Sequence, residues 1–146
     1  MGCGDSNLQA TSSAMHLQSP YYPSEYDLNS VCEWLITSDG QVSIQVKDID
    51  LEECCDSVQL FDGFSDQDQE IVNLKSIHMN ETFNSSGSVM YIRFTSDKSV
   101  VKRGFQLEYS GINTRNDSSM TYIIVGVVIG VLAIVCIFIV VFRRYR

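Results

Sequence analysis

The chain has 146 residues, five cysteines and a formal net charge of −8. We expect these residues to form one domain with a sizeable core, because two domains would not fit in them. The 119 residues before the apolar run at 120–142 contain 7 Lys and Arg against 18 Asp and Glu, a net charge of −11. Such an acidic surface repels phosphate backbones. The charge therefore argues against nucleic-acid binding and favours cations or basic proteins as partners.

Residues 1–16 are expected to form an N-terminal segment outside the main domain. They lack the basic start and the apolar run of a secretory signal peptide. The opening residues instead fit the pattern for myristoylation of Gly2. Taken literally, this pattern allows a cytosolic-facing protein that is lipidated at Gly2 and anchored by its C-terminal tail. The alternative is that the chain is a fragment or isoform whose leader is missing.

Short segments of alternating apolar and polar residues follow, and this period predicts β-strands. The segments with this pattern or with a short β-rich run are 31–36, 41–47, 57–61, 89–95 and 104–109. Glycine and serine turn signals separate them, and no stretch before residue 120 has a sustained helical period. Many short strands with such turns predict an all-β fold, an antiparallel sandwich or barrel. Trp34 and Phe94 are expected to lie in its core.

Three acceptor triplets for N-linked glycans precede the apolar run, at Asn80, Asn84 and Asn116. The C-terminal tail has none. This distribution favours exposure of the preceding domain to a lumen or to the cell exterior. Residues 111–119 are polar and are predicted to form a short stalk.

Residues 120–142 contain no charged side chain and are apolar on every side. As a helix, 23 residues would extend about 35 Å, enough to cross a bilayer. Three arginines in the tail at 143–146 predict a cytoplasmic C-terminus and a single-pass protein of the plasma membrane with its N-terminal domain outside the cell. Gly126 and Gly130 form a GxxxG pattern, which is consistent with a homodimer within the membrane.

The soluble part resembles the CUB domain family, an extracellular β-sandwich module with a jelly-roll arrangement. The matching segments, in chain order, are SPYYP at 19–23, CEWLI at 32–36, DSVQLFDG at 56–63, FTSD at 94–97 and GF at 104–105. They resemble the family motifs S-P-x-Y-P, C-x-W-x-I, D-x-V-x-[IL]-x-D-G, F-x-S-D and G-F. Each motif is short, but five in register are specific. The resemblance implies a CUB-like domain over residues 17–110.

The resemblance also bears on the cysteines. CUB domains usually join their first cysteine to their second and their third to their fourth, which implies a Cys3–Cys32 bridge. If formed, that bridge would stabilise the fold by about 3 kcal/mol by restricting the unfolded chain. Cys54 or Cys55 matches the third cysteine, but no fourth cysteine is present. The adjacent pair is therefore expected to form a vicinal disulfide, to stay unpaired or to bond to another chain; adjacent cysteines without a second pair make zinc less favourable.

Many CUB domains hold Ca²⁺ between two loops, and the resemblance carries that site to particular residues here. Asp56 and Asp97 match ligand aspartates, and Glu52 best matches the ligand glutamate, with Glu53 or Asp48 as substitutes. Ser99 matches a position that offers its carbonyl, and Tyr26 matches a tyrosine that orients a carboxylate. Val100 stands where an asparagine ligand is often found. The alternative is that these acids are merely solvated loop residues.

In calcium-binding relatives, the same carboxylates often receive a lysine of a partner protein. The chain is therefore expected to be a receptor, co-receptor or adhesion element that binds a basic protein ligand. The alternatives are a truncated membrane-bound decoy without its own activity, or the lipidated, tail-anchored protein facing the cytosol. No nucleophile, metalloprotease or phosphate-binding motif is present, so the chain is not expected to be an enzyme.

Overall fold

A computed structural model of the chain describes residues 3–113 together with positions 139, 141, 143 and 144. Residues 3–113 contain nine strands and one 3-10 turn at Ser76–His78. The strands are β1 Asn7–Gln9, β2 Met15–Gln18, β3 Val31–Thr37, β4 Gln41–Asp50, β5 Ser57–Asp62, β6 Gln69–Leu74, β7 Thr82–Asn84, β8 Val89–Thr95 and β9 Gly104–Ile112.

The strands form two sheets, which gives the sandwich that the sequence predicts. One sheet has the order β1-β3-β8-β5-β6 and the other β2-β9-β4-β7. All neighbouring strands run antiparallel except β1, which pairs with β3 in parallel. The expectation of purely antiparallel sheets therefore fails at this one edge, where the three residues of β1 follow the direction of β3. Residues 7–9 and 15–16, from the segment placed outside the domain by sequence, contribute to both sheets.

The core lies between the two sheets and is filled by the inward residues of the alternating strands. In β4, Val42, Ile44 and Val46 are fully buried, as the period predicts. Trp34 and Phe94 are also fully buried, and both lie edge-on to the ring of Phe105. Burying such large apolar side chains is the main favourable term in the folding of a domain of this size.

Among the described residues, no helix is long and apolar enough to cross a bilayer. The predicted spanning segment at 120–142 falls almost wholly outside the described positions, as do Gly126, Gly130 and Asn116. Ile139, Val141, Arg143 and Arg144 are helical and exposed.

Strand pairing determines which loops meet at each end of the sandwich. Asp50, at the end of β4, is paired with Gly104, at the start of β9. Ser57, at the start of β5, is paired with Thr95, at the end of β8. The loop at 51–56 and the loop at 96–103 are therefore neighbours at one end, where they connect the two sheets.

Candidate functional site

The two neighbouring loops bring together three of the predicted ligands. One carboxylate oxygen from each of Glu52, Asp56 and Asp97 lies within 4.8 Å of the other two. We call these three residues the acidic loop cluster. Glu52 and Asp56 come from the loop between β4 and β5, and Asp97 follows β8. The resemblance to the CUB family therefore selected residues that the fold does bring together.

Asp56 is the buried member of the acidic loop cluster, with a side chain only 1% exposed. Its Oδ1 accepts a hydrogen bond of 2.9 Å from the amide of Asp97, which links the two loops. Its Oδ2 accepts one from the hydroxyl of Tyr26. The same hydroxyl accepts the amide of Glu52 at 3.3 Å. Tyr26 therefore orients a carboxylate, as the resemblance implies, and also holds the backbone of Glu52.

Burial keeps the Tyr26 phenol protonated, so that it can donate its hydrogen bond to Asp56. The side chain is 2% exposed. Burial, reinforced by the hydrogen bond to Asp56, raises the pKa of the Tyr26 phenol well above its ordinary value. The phenol is therefore neutral and remains a hydrogen-bond donor at physiological pH.

Ser99 joins the acidic loop cluster through its hydroxyl. The Oγ atom lies 2.7 Å from Asp97 Oδ1 and 3.0 Å from Glu52 Oε2. The amide of Ser99 also donates to Asp97 Oδ1 at 2.7 Å. These bonds from the Ser99 hydroxyl and amide lower the pKa of Asp97 below its ordinary value, so the carboxylate stays ionised. Val100, the next residue, is 46% exposed and adds no side-chain oxygen.

The donor set fits a hard divalent cation. No ion pair found among the described residues involves Glu52, Asp56 or Asp97, although one of them is buried. Three close carboxylates without a cation repel one another, and a buried charge without a partner is costly. Calcium prefers six to eight oxygen ligands and accepts carboxylates readily. Three carboxylates and the Ser99 hydroxyl supply oxygen ligands of that kind.

Neither of the two substitute ligands considered from sequence belongs to the acidic loop cluster. The Asp48 carboxylate receives two hydrogen bonds of 2.9 Å from the guanidinium of Arg103. It also accepts one of 2.7 Å from the Tyr22 hydroxyl. Glu53 is exposed, and the metal-competent group formed here contains Glu52 in its place. Asp48 is already compensated by an arginine, so Glu52 is the acid available to the site.

A lysine that the sequence pattern does not reveal holds the backbone of the loop between β4 and β5. Lys75 Nζ donates to the carbonyl oxygens of Glu53 and Asp56, each at 3.2 Å. Lys75 directly follows β6, so the contact depends on pairing between β5 and β6. No motif near either loop indicates it.

A second set of contacts that sequence reasoning missed supports the loop of Asp97. The carbonyl of Asp97 accepts the amide of Asn29 at 2.6 Å. The preceding residue, Ser96, donates its hydroxyl to the carbonyl of Asp27 at 2.6 Å and accepts the amide of Ser30 at 2.9 Å. The serine of the F-x-S-D motif therefore ties a third loop to the acidic loop cluster, and that serine was the available signal.

Two disulfides are present among the described residues. Cys3 is bonded to Cys32, the bridge that the resemblance implies. Cys54 is bonded to its neighbour Cys55, which is one of the alternatives left open by the missing fourth cysteine. The side chains of Cys54 and Cys55 also lie within 4.8 Å of a Glu52 carboxylate oxygen. The vicinal disulfide is thus immediately beside the acidic loop cluster.

Two of the three predicted glycan acceptors can be located. Asn80 precedes β7 and Asn84 is the last residue of β7, and both are exposed. Asn80 has a backbone φ of 65° in a turn whose amide bonds to Val46. An exposed asparagine is accessible for glycosylation, while modification itself stays a prediction.

Similar proteins cover most of the domain formed by residues 3–113. A family model described as "CUB domain" matches residues 3–109. The chain is 35% identical over 100 residues to cubilin of Rattus norvegicus; the match covers 65% of this chain and 3% of cubilin. The chain thus spans only a small part of this relative's length.

Solved structures are similar as well. The "full extracellular region of zebrafish Gpr126/Adgrg6" is 33% identical with a TM-score of 0.60, over 73% of this chain and 15% of that one. A structure titled "Crystal structure of the MASP-1 CUB2 domain bound to Ca2+" is 22% identical with a TM-score of 0.53, over 72% of this chain and 97% of that one. At that identity, the second likeness shows the fold alone.

Proposed function

The chain belongs to the CUB domain family, and from that premise we propose that it is a protein-binding module displayed outside the cell. CUB domains commonly bind other proteins in extracellular settings. The observation that carries the proposal is the acidic loop cluster, in which Glu52, Asp56 and Asp97 come within 4.8 Å of one another. The groups gathered here are carboxylates and a hydroxyl, oxygen donors that suit a cation, so we propose binding and not catalysis.

Glu52, Asp56 and Asp97 would hold Ca²⁺, with Ser99 beside them. The ion supplies positive charge that relieves repulsion between the carboxylates and restricts the loops that carry them. A relative of the same fold is described as bound to Ca²⁺, which supports this assignment. In this chain, Tyr26 fixes Asp56, Lys75 fixes the loop backbone, and the amide of Asp97 couples the two loops. The binding surface is thereby preorganised.

The partner that suits this surface is a basic protein that presents a lysine. The 119 residues before the apolar run carry a net charge of −11, which attracts cationic partners over a distance. A lysine ammonium is a compact charge with three donors, and it can pair with carboxylate oxygens that remain accessible beside the ion. Glu52 and Asp97 are only partly buried, so their oxygens are open to such a group.

We further propose that the domain is held at the plasma membrane by a helix at 120–142, with the domain outside. The apolar run followed by arginines supports this topology. The exposed acceptors Asn80 and Asn84 and the Cys3–Cys32 bridge suit an oxidising, glycosylating compartment. Association of two copies through Gly126 and Gly130 is part of the same proposal.

The binding mode is tested with the full chain in detergent micelles and a lysine-bearing peptide, with the lysine-acetylated peptide as the matched control. Nonspecific attraction predicts weaker peptide binding when calcium is added, because the ion neutralises the acidic surface. The proposed mode predicts the opposite: calcium strengthens binding of the lysine peptide and leaves the acetylated peptide unbound. Binding that weakens with calcium, or that ignores acetylation, refutes the mode.

The topology is tested separately in intact cells that express the full chain. A glycosidase that removes N-linked glycans is expected to increase mobility on a gel, and replacement of both Asn80 and Asn84 by Gln is expected to reduce that shift. Externally added trypsin is expected to cleave the domain. A domain that is protected from trypsin and carries no glycan contradicts the extracellular assignment.

A further inference from the structure

The vicinal disulfide lies inside the loop that supplies two of the three members of the acidic loop cluster. Cys54 and Cys55 lie between Glu52 and Asp56, and their Cα atoms are 3.7 Å apart. The loop turns tightly at this point, because the carbonyl of Glu52 accepts the amide of Asp56 at 3.2 Å and that of Cys55 at 3.5 Å. The disulfide closes a small ring within this turn.

We propose that Cys54–Cys55 is a thiol–disulfide exchange site whose oxidation state controls the affinity of the acidic loop cluster for calcium. The proposal rests on the proposed calcium site and adds its regulation. It assigns the oxidised pair to the high-affinity form and the dithiol to the low-affinity form. The reductant is a dithiol, either a small molecule or the dithiol of an oxidoreductase.

The two disulfides differ in how accessible they are to such a reductant. The side chains of Cys54 and Cys55 are both exposed. Cys32 is 1% exposed and belongs to the hydrophobic core. Cys3 is partly buried, and its carbonyl accepts the indole N–H of Trp34 at 2.9 Å. A reducing thiolate must reach a sulfur atom, so the exposed pair is expected to react first.

Reduction would change the position of Glu52 more than that of Asp56, the two ligands on either side of the disulfide. Asp56 is fixed by Tyr26, by the amide of Asp97 and by its place next to β5. Glu52 is partly exposed, and although Tyr26 binds its amide and Ser99 its carboxylate, its carbonyl anchors the turn that the ring closes. Opening the ring returns backbone freedom to the turn, and calcium binding must then restrict it again. Glu52 is therefore the ligand that is less well placed in the reduced protein.

The chemical step is an ordinary two-electron exchange. One thiolate of the dithiol attacks Sγ of Cys54 or Cys55, which forms a mixed disulfide and breaks the vicinal bond. The released cysteine takes up a proton. The second thiol of the reductant, as its thiolate, then attacks the reductant sulfur of the mixed disulfide and displaces the remaining cysteine, which takes up a proton, and the reductant leaves as a cyclic disulfide. Two electrons and two protons have moved from the reductant to the cysteine pair.

The fifth cysteine of the chain is Cys136, in the apolar run. The experiment uses the full chain with Cys136→Ser, in detergent micelles, so that thiol counts report only on the two disulfides. Limited dithiothreitol reduces the protein, peptide mass mapping identifies which bridge has opened, and calcium is titrated calorimetrically. The expected result is opening of Cys54–Cys55 before Cys3–Cys32, with a dissociation constant for calcium about tenfold higher, or about 1.4 kcal/mol. Reoxidation is expected to restore the original value.

The double variant Cys54→Ser with Cys55→Ser is a permanently open form, and it is expected to bind weakly with or without dithiothreitol. Equal calcium affinity in the oxidised and reduced protein overturns this inference and leaves the proposed function intact. Prior opening of Cys3–Cys32 also overturns it. An oxidised protein that binds no calcium refutes the proposed function and this inference together. If the double variant fails to fold, the reduction series on the Cys136→Ser protein decides by itself.

Discussion

Replacing Tyr26 by Phe isolates the hydrogen bonds that hold the acidic loop cluster. The substitution removes one oxygen atom from a side chain that is 2% exposed. That oxygen donates to Asp56 Oδ2 and accepts the amide of Glu52 at 3.3 Å. A hydrogen bond to a charged group contributes about 1.5–3 kcal/mol, and Asp56, which is buried, would lose one of its two donors. We expect a loss of about 2 kcal/mol in the free energy of unfolding without calcium.

For a domain of this size, that loss corresponds to a midpoint lower by about 8 °C. Residues that orient metal ligands typically contribute about 10-fold or more to affinity, so calcium binding is also expected to weaken about 10-fold. Thermal melts followed by circular dichroism, with calcium and with chelator, measure both effects. Tyr21→Phe is the matched control, because Tyr21 is 56% exposed and is expected to change stability by no more than about 0.5 kcal/mol. Equal melting and equal calcium affinity in the two variants would refute the role given to Tyr26.

Two further changes test the support of the fold itself. Gly104→Ala is expected to lower the free energy of unfolding by more than about 2 kcal/mol, because the backbone φ of Gly104 is +93° and a Cβ there would overlap the Ser19 hydroxyl. Gly87→Ala is the control in the same chemical denaturation assay, because the space around Gly87 is open. A Gly104→Ala protein as stable as Gly87→Ala would contradict this. Replacing Cys3 and Cys32 together by Ala is expected to lower the free energy of unfolding by about 3 kcal/mol, because the unfolded chain gains conformational freedom without the bridge. Chemical denaturation measures this loss as well. An unchanged midpoint would show that the bridge adds no stability.

The part of the fold that could be predicted from sequence is the part governed by alternation. Segment 41–47 reads as a strand because Val42, Ile44 and Val46 must face the core, and the structure extends this strand to Asp50. The edge strand Gln69–Leu74 has an irregular pattern, with only Leu74 fully buried, so its sequence carries no clear period. The strand Thr82–Asn84 is too short to show one. Edge strands are determined by pairing with a neighbour, which no local pattern records.

Some residues of the candidate site could also be predicted from sequence, and others could not. Asp56 and Asp97 are adjacent to strands, so a match to the family motifs also fixes where they lie. Glu52 lies within a loop, and the choice between it and Asp48 depended on Arg103, which is 55 residues away from Asp48 in sequence. Lys75 is 19 residues away from Asp56 in sequence. Long-range partners of this kind become visible only when strand pairing has brought them together.

Calcium titration into the full chain, compared with its Asp97→Asn variant, tests whether the acidic loop cluster holds a cation. We expect saturable binding with a dissociation constant of about 0.1–1 mM, the range of extracellular calcium modules. Asp97→Asn is expected to weaken binding by about tenfold or more while the fold stays intact by circular dichroism, since Asp97 lies in a loop and not in a strand. If the unmodified chain shows no saturable binding in the millimolar range, or if the variant binds equally well, the calcium assignment is wrong.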